Sequence, residues 1–112
     1  MEETRPVITY QEFKNLDLRV AQIISCEPHP NADKLLVMQI DLGGERRQIV
    51  AGLKPYYAPE QLVGRKIVVV VNLAPATLRG VPSNGMLLAA QSGNDVVVLI
   101  PEKDVPAGSK VL

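Results

Sequence analysis

Groups that would build a metal centre or a covalent cross-link are scarce in this sequence of 112 residues. It has one cysteine, Cys26, and one histidine, His29. A single cysteine cannot form an intramolecular disulfide, which is typical of proteins from a reducing compartment. Structural zinc sites usually need four cysteine or histidine ligands. We therefore expect no disulfide and no metal. Nor do we expect a cofactor, because Gly43-Gly44 lacks the Lys-Ser/Thr of a phosphate-binding loop and indicates a hairpin turn.

Long apolar runs are also missing. No run exceeds five residues, as in Ile67 to Val71, whereas a membrane-spanning helix needs about 20. The N-terminus begins with acidic residues and no apolar stretch follows it, so we expect no signal peptide. The sequence predicts a soluble, cytoplasmic protein with no membrane partner.

A catalytic site is difficult to assemble from the residues present. Cys26 and His29 are close in sequence, but no third group is placed to orient them, and the carboxylates are scattered. A nucleophile needs a base within hydrogen-bond reach, and the base needs a group that orients it. We expect that the protein is not an enzyme and that Cys26 is a small apolar core residue.

The net charge is zero, from 12 basic and 12 acidic residues. This balance argues against nucleic-acid binding, because phosphate contacts usually show up as a basic domain. The distribution is uneven, however. Residues 1–45 carry four basic and eight acidic groups, residues 46–90 six basic and one acidic, and residues 91–112 two basic and three acidic. The central segment could give a neutral protein a positive face, although chance clustering on a solvated surface would produce the same count.

Turn signals divide the chain into short segments with the periodicity of β-strands. Leu16 to Glu27 alternates as far as Val20 and then shifts at Ile23, which predicts a strand with a bulge. Thr9 and Glu12 have the spacing of a helix capping box. The predicted elements are a helical turn at 9–15, strands at 16–27, 35–42 and 46–51, a helical turn at 59–64, strands at 67–71, 85–90 and 96–100, and a mobile-looking stretch at 72–84.

This order of elements is typical of an all-β protein, either a barrel or a sandwich. A short helix between the third and fourth strands favours the five-stranded oligonucleotide-binding (OB) barrel, with extra segments at both ends. We predict one domain over residues 1–112, with the barrel core at about 16–91.

Three polar clusters lie between the predicted strands: 29–34 (HPNADK), 52–57 (GLKPYY) and 72–86 (NLAPATLRGVPSNGM). Each is consistent with an ordinary turn or loop. Taken as one surface, they hold what single-stranded or looped nucleic acid requires, namely cations for phosphates, polar groups for base edges and sugars, and soft or flat groups for bases. The candidates are Lys34, Lys54 and Arg79 for phosphates, Asn72, Ser83 and Asn84 for hydrogen bonds, and Met86 or a tyrosine for base packing.

At these clusters the sequence resembles the tRNA-binding domain family. The matching stretches are DLRV at 17–20, HPNADKL at 29–35, Gly52 with Tyr56-Tyr57, and the long segment at 72–90. The resemblance runs from about Tyr10 to Leu112. Family members include the C-terminal domain of bacterial methionyl-tRNA synthetases and stand-alone structure-specific tRNA-binding proteins, and the cytokine-like C-terminal domains of multisynthetase-complex proteins are related.

The resemblance implies an OB barrel that binds tRNA by shape, with contacts at the matching positions Lys34, Asn72, Arg79, Ser83 and Met86. It also implies a homodimer formed by segments outside the barrel, here the N-terminal turn and the tail after about Ser92. We therefore expect a non-catalytic, structure-specific tRNA-binding module, free-standing or acting with a methionyl-tRNA synthetase. Met1 favours the free-standing protein over an excised synthetase domain.

One departure from the family pattern affects the expected strength of binding. Members usually carry basic residues directly after Asn-Leu-x-Pro, where this sequence has Ala76 and Thr77. Each phosphate contact adds to affinity and to its salt dependence, so we expect weaker or auxiliary binding. The alternative function is a chaperone-like, peptide-binding dimer of the same fold. A distant, secretion-related relative of the family has this chaperone-like character, but it lacks the HPNADKL form found here at 29–35.

Overall fold

A computed structural model describes residues 4–112. The acidic start at 1–3, on which the prediction of no signal peptide depends, lies outside the described residues. The elements in chain order are α1 (Tyr10–Phe13), β1 (Leu18–Pro28), β2 (Leu36–Asp41), β3 (Arg46–Ala51), α2 (Pro59–Leu62), β4 (Lys66–Val70), β5 (Ala76–Leu78), β6 (Val81–Ser83), β7 (Met86–Leu87), β8 (Ala89–Ser92) and β9 (Asp95–Val98).

Five strands form one antiparallel sheet in the order β3-β2-β1-β4-β7. The sheet curls until its two ends approach each other, and the chain just before β7 bridges the remaining gap. There the amide of Asn84 donates to the carbonyl of Gln48 on β3 at 2.8 Å. The predicted five-stranded barrel is confirmed, as is the short helix, α2, between its third and fourth strands.

The barrel interior is filled by alternating side chains. Leu36, Met38 and Ile40 of β2 are completely buried, while the residues between them are half-buried. This is the period-2 pattern of a strand with one face toward the core. The same core contains Ile49, Leu62, Ile67 and Val69 from β3, α2 and β4. The apolar alternation in the sequence therefore identifies the core face correctly.

The first strand changes partners along its length. Its first half, Leu18 to Gln22, pairs with β4, and its second half pairs with β2. The register with β2 shifts between Ile23 and Ser25. A bulge inserts one residue and bends the strand, so β1 can take part in both sides of the barrel. The predicted bulge is confirmed.

Short polar motifs fix two turns. Thr9 and Glu12 form the predicted capping box, with the Glu12 amide donating to Thr9 Oγ1 at 3.1 Å and the Thr9 amide to Glu12 Oε1 at 2.9 Å. Between β2 and β3, Asp41 Oδ1 accepts hydrogen bonds from the amides of Gly43 and Gly44 at 3.0 and 3.1 Å. Both glycines have positive φ, a conformation that glycine adopts at little cost.

The C-terminal tail runs along the first half of β1, beyond the point where β2 ends. The Gly108 amide donates to Val20 O at 2.7 Å and the Val111 amide to Leu18 O at 2.8 Å. The tail crosses the β2–β3 turn so closely that a Cβ on Gly108 would lie 2.5 Å from the carbonyl oxygen of Leu42, and one on Gly43 would lie 2.5 Å from that of Ala107. Both positions therefore require glycine.

The structure differs from the sequence prediction at 72–90. The stretch predicted to be irregular contains the hairpin β5–β6, and the strand predicted at 85–90 is divided into β7 and β8. Pro75 and Pro82 suggested a loop, because proline cannot donate to a sheet. Pro82 is nevertheless accommodated in β6, since β5–β6 is a two-stranded sheet with edges on both sides.

Candidate nucleic-acid interface

Two connections meet at one end of the barrel. One joins β1 to β2 (29–35, the first loop), and the other joins β4 to β7 (71–85) and contains the hairpin β5–β6. The Nε2 atom of His29 in the first loop lies 2.8 Å from the carbonyl oxygen of Leu78 in the hairpin. In OB folds, the loops between strands 1 and 2 and between strands 4 and 5 bind oligonucleotides. These connections are their counterparts here.

Lys34 and Arg79 line one cleft between these two connections. The cleft has a volume of about 420 Å³, and its other walls are Asn31, Ala32, Asp33 and Leu35. Lys34 and Arg79 are both exposed. The structure thus brings together two of the predicted phosphate-binding residues from distant parts of the sequence.

Arg79 occupies an unfavourable backbone conformation at the tip of the β5–β6 hairpin. Leu78 pairs with Val81, so Arg79 and Gly80 form a two-residue turn, with φ of 52° and 88°. A turn with two positive φ values normally takes Asn, Asp or Gly at its first position. Among residues 4–112, Arg79 is the one non-glycine residue with positive φ. Such a conformation costs about 1–2 kcal/mol for an ordinary residue, and backbone strain of this kind is concentrated at functional sites.

Lys54 is the third cation near this cleft. Its amide donates to the carbonyl oxygen of Lys34 at 3.3 Å, so the segment after β3 is joined directly to the first loop. In the part of the chain that the structure describes, the ion pairs are Arg19–Asp17, Arg47–Glu45 and Lys66–Asp104. None of them involves Lys34, Lys54 or Arg79, so these three cations form no ion pair with a carboxylate of the described residues, although Asp33 lines the same cleft. We call these three residues the cation cluster.

The six cations counted in residues 46–90 do not form one face. Lys66 pairs with Asp104 of the tail at 2.7 Å, and Arg65 lines a separate cleft with residues 100–104. Arg47 pairs with Glu45 and donates to the carbonyl oxygen of Val71 at 2.6 Å. A count along the sequence cannot separate these groups, because folding brings acidic residues from the flanking segments against some of them. Arg65 and Lys66 lie at a different cleft from Arg79, so the count over residues 46–90 does not measure the charge of the candidate site.

Ser83 and Asn84 lie where the barrel closes. Ser83 is only 5% exposed, and its Oγ accepts a hydrogen bond from the Val50 amide at 2.9 Å. Next to it, Gln48 Nε2 donates to Pro82 O at 2.8 Å. The Ser83 hydroxyl is therefore occupied by the fold, whereas the side chain of Asn84 is exposed.

Asn72 clamps the N-terminal segment to the barrel. Its Oδ1 accepts from the Asp17 amide at 2.8 Å, and its Nδ2 donates to the Asn15 carbonyl at 2.6 Å. Asp17 is held in turn by Arg19, whose side-chain hydrogen bond to the carboxylate lowers the pKa of Asp17. Both polar ends of the Asn72 amide thus have partners within the protein.

The candidates for base packing differ in accessibility. Met86 on β7 is 47% exposed and Tyr56 is 39% exposed. Tyr57 is half-buried, and its hydroxyl accepts from the Val98 amide at 3.2 Å. Met86 and Tyr56 can therefore present a soft or flat surface to a base, while Tyr57 packs against the barrel.

The sequence offered no functional role for His29, whose environment is unusual. It is 5% exposed, and its two ring nitrogens contact the Leu78 carbonyl and the Asn31 amide. The flanking Pro28 and Pro30 were the available signal, because they restrict how the loop can enter and leave this position. Neither ring nitrogen is directed at Cys26, which is 8% exposed and whose pKa is raised to about 11 by burial, with smaller effects of Glu60 and Glu27.

A second surface lies between α1 and the end of the tail, and it shares no lining residue with this cleft. An apolar groove of about 340 Å³ is lined by α1, the residues that follow it and the end of the tail. Its apolar residues include Tyr10, Phe13, Leu16 and Leu112, which are between 38% and 101% exposed. These are the segments that the sequence predicted to form a dimer.

None of the helices in residues 4–112 is long and apolar enough to cross a membrane.

The sequence of this chain is similar to a known domain family and to part of two methionine–tRNA ligases. Residues 18–110 match the family model described as "Putative tRNA binding domain". The chain is 52% identical over 110 residues to a methionine–tRNA ligase of Pyrococcus furiosus, and this match covers 98% of the chain and 15% of the ligase. It is 53% identical over 104 residues to the corresponding ligase of Thermococcus kodakarensis, covering 93% of the chain and 14% of that protein. The chain thus spans about one seventh of the length of the ligases that it matches.

Two solved structures are similar over nearly their whole length. The crystal structure of a MetRS-related protein from Pyrococcus horikoshii has a TM-score of 0.91 at 32% identity, covering 96% of this chain and all of that one. The chaperone CsaA from Bacillus anthracis has a TM-score of 0.86 at 31% identity, with the same coverage of both chains.

Proposed function

Because the chain belongs to the tRNA-binding domain family, we propose that it is a non-catalytic module that binds tRNA by the shape of its backbone. The cation cluster, Lys34, Lys54 and Arg79, contacts phosphates. Met86 packs against an exposed base, and the side-chain amide of Asn84 forms hydrogen bonds with bases or sugars. Asn72 and Ser83 act from behind this surface, by holding the loops that carry the contacts.

The observation that carries this proposal is the placement of Arg79. A strained turn presents its guanidinium at the edge of the cleft that Lys34 also lines. Asn or Gly would be a more stable choice at this turn position, so the fold tolerates arginine at a cost in stability. A planar, permanently charged guanidinium is well suited to phosphate.

Arg79→Asn tests the proposal, because asparagine suits the turn and removes the charge. We expect unchanged or slightly higher thermal stability, together with a loss of about 10- to 100-fold in affinity for unfractionated tRNA at low salt. The slope of log affinity against log salt should fall by about one. Fluorescence anisotropy with labelled tRNA measures both quantities.

Arg65→Gln is the matched control, since it removes an exposed cation from the separate cleft beside the tail. It should leave tRNA affinity within about twofold of the wild type, apart from a small general charge effect. If Arg79→Asn and Lys34→Gln bind tRNA as tightly as Arg65→Gln, the cleft is not the tRNA site and the proposal fails.

We propose further that the module serves a methionyl-tRNA synthetase, in the same chain or as a separate partner, by adding contacts to the tRNA that the enzyme uses. The chain is similar to a segment that makes up about one seventh of the length of the methionine–tRNA ligases of Pyrococcus furiosus and Thermococcus kodakarensis, which supports this proposal. We also propose that two copies associate through the apolar groove between α1 and the tail, because large apolar side chains are concentrated there.

A chaperone-like function is the second candidate, supported by the similarity to CsaA. Competition between labelled tRNA and an unfolded polypeptide separates the two functions. Displacement of tRNA by the polypeptide, with no effect of Arg79→Asn on polypeptide binding, would favour the chaperone-like function.

A further inference from the structure

The two connections that form the proposed tRNA site are tied together by a buried imidazole. His29 begins the first loop and is 5% exposed. Its Nε2 lies 2.8 Å from the carbonyl oxygen of Leu78, which directly precedes Arg79. Its Nδ1 lies 2.9 Å from the amide nitrogen of Asn31, in the loop that carries Lys34. One ring therefore links the backbone segments that present two members of the cation cluster.

The partners of the ring determine its protonation. The Asn31 amide can only donate, so Nδ1 must accept and carries no proton. The Leu78 carbonyl can only accept, so Nε2 must carry the proton. The structure thus requires the neutral form of His29 with its proton on Nε2. A second proton would place an N–H on Nδ1 directly opposite the N–H of Asn31, and that contact could not persist.

The rest of the loop is arranged around the same residue. The His29 amide donates to Leu35 O at 3.0 Å, and the Leu35 amide donates to Ala32 O at 3.3 Å. These bonds close the loop at its base and leave the ring as its connection to the hairpin. The charged side chains on the segments that meet here are Glu27, Asp33, Lys34, Lys54 and Arg79. The ring hydrogen-bonds to none of the carboxylates among them.

We infer that His29 is a positioning residue for tRNA binding, which fixes the separation of Lys34 and Arg79 by holding the carbonyl of Leu78. This inference rests on the proposed function. The bond from Nε2 to Leu78 is the part of His29 that matters for this role. A substitute that keeps this donor should therefore keep the affinity for tRNA, and one that cannot reach Leu78 should lose it.

The experiment measures the affinity of the wild type and of two His29 variants for unfractionated tRNA. A folded variant that has lost the bond to the Leu78 carbonyl should bind about tenfold more weakly, as expected for the loss of one hydrogen-bonded connection. Unchanged affinity in that variant, or an equal loss in a folded variant that keeps the bond, would overturn the inference.

Two substitutions separate the two ring contacts. In His29→Gln, the side-chain nitrogen can still reach the Leu78 carbonyl, so affinity should stay within about threefold of the wild type. In His29→Asn, the shorter amide can serve only the Asn31 contact, so affinity should be about tenfold lower. Circular dichroism identifies any variant that has lost the barrel.

The outcomes distinguish this inference from the proposed function. If Arg79→Asn weakens tRNA binding but His29→Asn binds like the wild type, the site stands and the positioning role is wrong. If neither Arg79→Asn nor Lys34→Gln affects tRNA binding, the proposed function fails first, whatever the behaviour of His29.

Discussion

Among individual residues, Ser83 shows how a predicted contact can act from inside the fold. Its hydroxyl is buried between β3 and the chain before β7 and satisfies the amide of Val50. Substitution by alanine would leave this amide without a partner in a place that water does not reach. An unpaired buried donor costs about 1–3 kcal/mol.

Ser83→Ala should therefore lower the free energy of unfolding by about 1–3 kcal/mol, as measured by urea denaturation. Ser92→Ala is the control, because Ser92 is exposed on β8; it should change stability by less than about 0.5 kcal/mol. At a temperature where both variants are folded, any loss of tRNA affinity in Ser83→Ala should accompany the loss of stability, because the serine holds the segment in place without touching the tRNA. A large loss of affinity without a loss of stability would instead indicate direct contact.

The sequence could predict the exposed cations of the candidate site but not the structural roles of its uncharged polar residues. Lys34 and Arg79 are charged, so their exposure follows from the cost of burying a charge. Asn72, Ser83 and Asn84 are small polar residues in one segment, and each type occurs both in contacts and in backbone support. Their roles depend on partners distant in sequence, such as Asp17 and Val50, which no local pattern specifies.

Among the turns, the one between β2 and β3 has a predictable response to pH. Hydrogen bonds from the amides of Gly44 and Gly43 lower the pKa of Asp41 below its ordinary value of 3.8. A pKa that is lower in the folded than in the unfolded state adds stability above the unfolded-state value, and this stability is lost as the pH falls through the folded-state value.

Asp41→Asn should therefore lower the urea midpoint at neutral pH, and the difference from the wild type should shrink as the pH falls below about 4. Asp33→Asn, which removes an exposed carboxylate of the first loop, is the comparison. A difference for Asp41→Asn that stays constant from neutral to acid pH would show that the charge of Asp41 is not the cause.

Strand β5 begins with Ala76, one of the two positions where members of the family usually carry a basic residue. Ala76 is exposed on this strand and pairs with Ser83, beside the proposed contacts. Ala76→Lys should strengthen tRNA binding at low salt and steepen the salt dependence by about 0.7–0.9 in log–log slope, the contribution of one added phosphate contact. Gln91→Lys on β8 adds the same charge elsewhere and should leave the slope nearly unchanged. Equal slopes for the two variants would place β5 outside the tRNA surface.

Most strands could be predicted because their cause is local. Alternation identifies β2 and β3, and the shift at Ile23 identifies the bulge of β1. The β5–β6 hairpin was missed because its signals conflict with the usual rules. Arginine occupies a turn position that favours asparagine or glycine, and proline lies within a strand. Contacts beyond the hairpin hold it in place, namely the Gln48 bond to the Pro82 carbonyl and the His29 bond to the Leu78 carbonyl.

For the whole molecule, the proposed dimer gives a matched pair of variants. Leu16 is 47% exposed in the apolar groove, and Val63 is 46% exposed after α2, outside that groove. Leu16→Lys should weaken self-association by at least about tenfold, because the interface would bury an unpaired charge. Val63→Lys should leave it unchanged. Sedimentation velocity over a concentration series measures both, and identical behaviour of the two variants would exclude the groove as the interface.

The crossing of the tail over the β2–β3 turn has a consequence for the order of events during synthesis. The edge of β1 that receives residues 108–111 is separated from them by most of the chain. Contacts between such distant segments form late, because a long loop must close first. While the ribosome is still adding these residues, the first half of β1 keeps an unpaired edge, and exposed edges favour association between chains. The nascent protein is thus more prone to aggregation until residues 108–111 have emerged, and the hydrogen bonds from Gly108 and Val111 to β1 end that interval.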